Sequence, residues 1–150
     1  MRDISLHVMD IAENSVKAGA TRVTVRVKED RKADVLVVEI EDDGEGMDGH
    51  TVAQALDPFF TTAAGKRFGL GLPLFCQAAR EAGGNMRIDS TPGMGTRISA
   101  FFKLSHPDRK PLGDMEKTMR LLGCAHPDVD FRYHRAFEEG QGEGHEAHAG

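Results

Sequence analysis

The sequence predicts an α+β fold, a two-layer sandwich with helices on one face of a mixed, mostly antiparallel sheet. Three observations lead there. Residues 4–18 carry apolar side chains at helical spacing, and two pairs of alternating apolar and polar segments follow at 22–42 and 85–104. A second helical stretch opens at Gly71, between the two pairs.

In the first helix Ile4, Val8, Ile11, Ala12 and Val16 form one stripe. Asp3 or Ser5 can cap its start, and Gly19 follows its last turn as a stop. TRVTVRVKED then alternates at Val23, Val25 and Val27, and DVLVVEIED returns antiparallel after a turn at 30–33. At Asp42 the pattern breaks into DDGEGM. TVAQAL is a short amphipathic piece, and DPFFTTAAGKRF has no period, with Phe59 and Phe60 read as core anchors at its base. Gly71–Ala82 reads as a helix, with Pro73 tolerated in the first turn and Gly83-Gly84 ending it. NMRIDS and TRISAFFKL flank TPGMG as a second hairpin.

Residues 1–104 therefore make one unit. Residues 105–136 read as an appendage, with GDMEKTMRLLG as a helix and VDFRYHRAF as one further strand. Residues 137–150 read as a disordered tail, because EEGQGEGHEAHAG, which follows Phe137, contains no apolar side chain larger than alanine.

Composition excludes several classes. The chain has 150 residues, 39% hydrophobic and 29% charged, enough for one core of ordinary size. No apolar run reaches membrane-spanning length and the start lacks a signal-peptide core, so the expectation is a cytoplasmic protein without a membrane partner. The two cysteines, Cys76 and Cys124, stand far apart and read as reduced thiols. A net charge of −5 argues against general nucleic-acid binding.

The 17 glycines point to chemistry through their positions. Gly44 and Gly46 follow the strand that ends at Asp42, where they let a flat ligand approach the main chain beside Met47. Asp42 offers an ionised acceptor there, suited to an exocyclic amine such as that of adenine. Gly65-Lys66-Arg67-Phe68-Gly69-Leu70-Gly71-Leu72 opens a helix, where free N–H groups and the two basic residues favour anions. Gly93-Met94-Gly95 turns the second hairpin, from which Thr96 can reach a ligand. On the first helix Asp10, Asn14 and Lys17 project from one face. The Asn14 amide oxygen suits Mg2+, Asp10 can orient or deprotonate a nucleophile, and Lys17 can meet a phosphate. Each segment alone also reads as a turn or a solvated helix face. His7 reads as packed beside the helix stripe.

DIAENSVKAGATRVTV, EIEDDGEGM, DPFFTT, FGLGLPL and STPGMGTRISAFF, in that order, resemble the successive boxes of the GHKL ATP-binding superfamily. That superfamily includes gyrase, the heat-shock chaperone, histidine kinases and mismatch-repair MutL, and its fold is the Bergerat sandwich. The resemblance runs from about Ser5 to Leu104. The first box is nearest the MutL and topoisomerase-like branch, and DPFFTT…GLGL and STPGMGT are nearer the histidine kinases. It implies ATP and Mg2+ as ligands, an adenine contact at Asp42, a metal ligand at Asn14 and a phosphate contact at Lys17. It also implies a mobile lid from about Phe60 through Thr61, Thr62, Lys66 and Arg67 to Gly69, with Gly69, Leu70, Gly71 and Leu72 at the phosphates and Thr96 supporting the base. The whole chain also resembles small standalone ATP-binding proteins of anaerobic bacteria, some of them associated with iron-hydrogenase or related electron-transfer systems.

Three departures shape the functional expectation. The position of Asp10 is usually Glu in the hydrolysing branches, the usual glycine before GLGL is Arg67 here, and the lid is short. With no phosphoacceptor segment ahead of the first helix, the expectation is an ATPase or a protein kinase that acts in trans on a partner protein in a regulatory role. The alternative is a non-catalytic module that answers to ATP or ADP. A homodimer is compatible with both.

Overall fold

The computed structural model describes residues 3–57, 59, 71–138 and 144–149. The first helix, α1 (Ile4–Lys17), is capped by Asp3, whose carboxylate accepts the Leu6 N–H at 3.2 Å and the Ser5 hydroxyl at 2.6 Å. Strands β1 (Arg22–Asp30) and β2 (Val35–Asp42) form the first hairpin, followed by the short helix α2 (Gly49–Leu56). Helix α3 (Gly71–Glu81) precedes β3 (Asn85–Ser90) and β4 (Thr96–Lys103). The chain continues through α4 (Met115–Ala125), β5 (Asp130–Glu138) and β6 (Gly144–Ala149).

The strands form one mixed sheet in the order β3-β4-β2-β1-β5-β6, parallel between β1 and β5 and antiparallel elsewhere. Alternation sends Val23, Val25, Val27, Leu36, Val38, Ile40, Ile98, Ala100 and Phe102 to one face, all buried. Ile4, Val8, Ile11 and Ala12 of α1, Phe75 and Ala79 of α3, and Met115, Met119 and Leu122 of α4 complete that core. His7 is buried on α1, its ring 5.5 Å from that of Phe75, as the periodicity suggests. The other sheet face carries an exposed ladder in which Arg26 meets Glu39 at 2.8 Å and Arg97 meets Glu41 at 3.0 Å. The α+β sandwich read from the sequence is the architecture observed.

The segment after Leu104 is woven into this fold. The carbonyls of Pro111 and Leu112 accept the N–H groups of Ile4 and Ser5, each at 2.9 Å, and so satisfy donors that a helix start leaves free. β5 then lies beside β1 with Arg22 opposite Asp130, and Tyr133 joins the buried face. The last stretch differs from the expectation of disorder over 137–150. β5 extends to Glu138, and Gly144–Ala149 pairs with it as the edge strand β6. An edge strand needs only backbone hydrogen bonds, for which an apolar side chain is unnecessary. Phe59 is a second correction: it is 82% exposed and anchors no core.

Candidate functional site

A cleft opens where the C-terminal half of α1 faces the end of β2. It is lined by Ile11, Asn14, Ser15, Lys17 and Ala18 of α1, and by Asp42, Glu45, Gly46 and Met47 of the following turn. Leu72, from the start of α3, and Thr96 and Ile98, from β4, complete it. Its walls are largely apolar with a few convergent polar groups, the usual make-up of a small-molecule site.

Asp42 is the most tightly held polar group in the cleft. It ends β2 half-buried, and its two carboxylate oxygens have separate donors. The Ser15 hydroxyl donates to Oδ2 at 2.7 Å and the Gly44 N–H donates to Oδ1 at 2.8 Å. A carboxylate fixed in this way is held in one orientation at the cleft it lines, with a lone pair on each oxygen still open to a ligand. Ser15, 4% exposed, carries no sequence signal of this role, because a helix-interior serine leaves no local mark of a distant partner.

Two glycines give the turn its shape. Gly95 has φ +85°, and a Cβ there would sit 2.0 Å from the Asp42 carbonyl oxygen. Gly46 has φ +72°, and its Cβ would sit 2.1 Å from the Thr91 carbonyl oxygen. The turn after β2 and the β3–β4 hairpin thus press backbone to backbone, which only glycine allows. Ser90 ties them laterally: its Oγ accepts the Met47 N–H at 2.8 Å and lies 2.8 Å from Thr96 Oγ1 and 3.0 Å from the Gly95 carbonyl. Thr96 therefore stands at the cleft within a hydrogen-bonded group. On the other side, the Asp43 carboxylate accepts the Thr21 hydroxyl at 2.5 Å and the N–H groups of Thr21 and Arg22 at 2.7 and 2.9 Å. These donors, the Thr21 hydroxyl above all, hold the Asp43 carboxyl below its ordinary range.

The helix-face constellation assembles in part. Asn14 is half-buried and Lys17 exposed, and both line the cleft. Asp10, half-buried one turn earlier, is not among the lining residues and instead packs against the start of α3, where a Cβ on Gly71 would lie 3.1 Å from the Asp10 Cβ. Among the described residues no group of three or more His, Cys, Asp or Glu gathers in a metal-binding arrangement. A divalent cation here fits the donor set that Mg2+ prefers, one protein oxygen such as that of Asn14 together with substrate phosphates and water. Phe60, Thr61, Thr62, Lys66, Arg67, Gly69 and Leu70, and with them the expected lid, lie outside the described residues.

Residues 2–106 match the family described as histidine kinase-, DNA gyrase B-, and HSP90-like ATPase. The chain belongs to that family. As a member it carries an ATP-binding domain of the histidine kinase-like type. It is 33% identical over 134 residues to the phosphotransferase RcsD of Escherichia coli K12, a match covering 86% of this chain and 15% of that protein. It is 30% identical over 96 residues to sporulation kinase C of Bacillus subtilis 168, covering 64% of this chain and 22% of the kinase. The chain thus spans less than a quarter of the length of these curated relatives. A solved structure, the N-terminal domain of a DNA repair protein, superposes with a TM-score of 0.56 at 13% identity, covering 99% of this chain and 52% of that one. That likeness concerns the fold. None of the helices among the described residues is long and apolar enough to cross a membrane.

Proposed function

We propose that this ATP-binding domain takes Mg-ATP in the cleft and uses it in regulation, passing the γ-phosphoryl group to a partner protein in trans or to water. The observation that carries the reading is the Asp42 carboxylate, fixed by Ser15 and Gly44 in a cleft that Asn14 and Lys17 line from the same helix as Ser15. Asp42 accepts the exocyclic amine of adenine, the apolar walls cover the ring, and Lys17 meets a phosphate at the open end. Asn14 and the phosphates would hold Mg2+, which would supply charge neutralisation. In the transfer the bond from the γ phosphorus to its bridging oxygen breaks and ADP leaves. The acceptor or water bonds to phosphorus and gives up its proton to Asp10. Such transfer depends mainly on positioning and electrostatics. The kinase and phosphotransferase names among the relatives support phosphoryl transfer as the use made of ATP. The resemblance to hydrogenase-associated proteins makes a redox system one candidate partner.

One observation favours a second reading, a module that binds ATP or ADP and signals without chemistry. Asp10 carries a side chain one methylene shorter than the Glu usual in the hydrolysing branches, and it packs against Gly71 at the start of α3. Phosphate release from ATP, and labelling of a co-purified partner protein, separate the two readings. Catalysis predicts that Asp10→Ala loses both activities while still binding nucleotide. Equal activity in wild type and variant removes the enzyme reading and leaves the binding module.

A further inference from the structure

The outer edge of β5 suits a partner other than the strand that covers it. β6 pairs only with Tyr133 to Glu138 of β5, setting Ala149 against Tyr133, Ala147 against Arg135 and His145 against Phe137. Its sequence, GHEAHA, contains none of the β-branched or aromatic carbocyclic residues that favour strands. Cross-strand side-chain pairs are what stabilise a sheet beyond its backbone bonds, and here the aromatic residues of β5 face alanine and histidine positions.

β5 matches itself better. Turned antiparallel about His134, a second β5 sets Phe131 opposite Phe137 twice and Tyr133 opposite Arg135 twice. These four residues alternate with their neighbours and share the core-side face, opposite Val23, Val25, Val27 and Glu29 of β1. Phe131 and Phe137 are only partly buried, and the Arg135 guanidinium carbon already lies 4.8 Å from the Phe137 ring centroid. Aromatic–aromatic and cation–aromatic pairs repeated across a dyad make a self-complementary, closed interface.

We propose that the outer edge of β5 is an interface between two copies of this chain, formed by antiparallel β5–β5 pairing centred on His134, and that β6 covers this edge in the monomer. Covering an edge strand is a common protection against uncontrolled pairing. The proposal is independent of the nucleotide reading.

The test uses the 150-residue chain with Cys124→Ala. Glu146→Pro together with Ala147→Pro removes N–H donors at successive β6 positions, so whichever one bonds to β5 is lost. The parent is expected to sediment as a monomer and the proline variant as a dimer of twice its mass. Adding His134→Cys is expected to trap the dimer as a disulfide, because the dyad brings the two copies of residue 134 to a Cα separation of about 4.5–5.5 Å. Ala136→Cys, which falls opposite residue 132 of the other copy, is expected not to link. A monomeric proline variant with a cooperative melt overturns the proposal, as does a dimer in which Cys at 136 links as readily as Cys at 134. If the prolines unfold the chain, His134→Cys with native β6 decides. Slow linking at 134 in preference to 136 supports the interface, and no preference overturns it.

Discussion

Ser15→Ala tests how the candidate site is held together. The substitution deletes the hydroxyl that donates to Asp42 Oδ2 at 2.7 Å and changes little else, since the weaker contact of Ser15 Oγ with the Ile11 carbonyl, at 3.3 Å, lies within the helix. A hydrogen bond to a charged group contributes about 1.5–3 kcal/mol. In the empty protein Asp42 borders an open cleft and water replaces the lost donor, so stability falls by only about 1 kcal/mol. A bound nucleotide displaces that water and leaves Oδ2 short of a donor, which weakens ADP binding by about 1–2 kcal/mol, or ~5–30-fold. Isothermal titration calorimetry measures this directly. Ser5→Ala is the control, because Ser5 is also buried but bonds to Asp3 away from the cleft; it costs stability and leaves ADP affinity unchanged. If Ser15→Ala binds ADP as tightly as the wild type while remaining folded, the idea that Ser15 orients the base-binding carboxylate is wrong.

Other substitutions probe the remaining parts. Asn14→Ala is expected to weaken ATP binding more with Mg2+ than without it, and calorimetry showing equal losses in both conditions removes Asn14 as the metal ligand. Gly95→Ala forces a Cβ onto the Asp42 carbonyl at positive φ and should cost about 2–4 kcal/mol in urea unfolding, whereas Gly19→Ala, at φ +83° with open space around it, should cost about 1 kcal/mol. Asp43 has a carboxyl held below its unfolded value, so its stabilising contribution is complete above about pH 4 and lost as pH falls through the lowered folded value. Asp43→Asn should therefore reduce stability at neutral pH and flatten the acid limb of the unfolding free energy against pH.

The residues that were legible in advance are those whose roles leave a local mark. Asp42 is visible because a strand stops there and two glycines follow, and α1 because its apolar stripe repeats at helical spacing. Ser15 is invisible on the same helix because its partner lies 27 residues away and becomes a neighbour only when β2 packs against α1. Asn14 and Lys17 line the cleft among the described residues, while Asp10, earlier on the same helix, lies against Gly71 at the start of α3, a neighbour that no sequence spacing reveals. β5 reads as a strand from its own alternation. Its parallel partner β1 cannot be read locally, since that pairing joins residues about a hundred positions apart. β6 escapes sequence reading altogether, since backbone bonding at an edge requires no apolar pattern. Phe59, apolar and exposed, shows the reverse error of assuming that an aromatic residue must be buried.

The central claim is that Asp42 binds the adenine base, and ADP titration into Asp42→Asn tests it most directly. The asparagine can keep the Gly44 N–H as a donor to its oxygen and offer its amide N–H to Ser15 Oγ, so the turn is preserved while the negative acceptor is lost. With about 1.5–3 kcal/mol carried by that charge-assisted bond, affinity should fall by ~10–150-fold with the melting temperature little changed. An Asp42→Asn protein that binds ADP as tightly as the wild type would contradict the account.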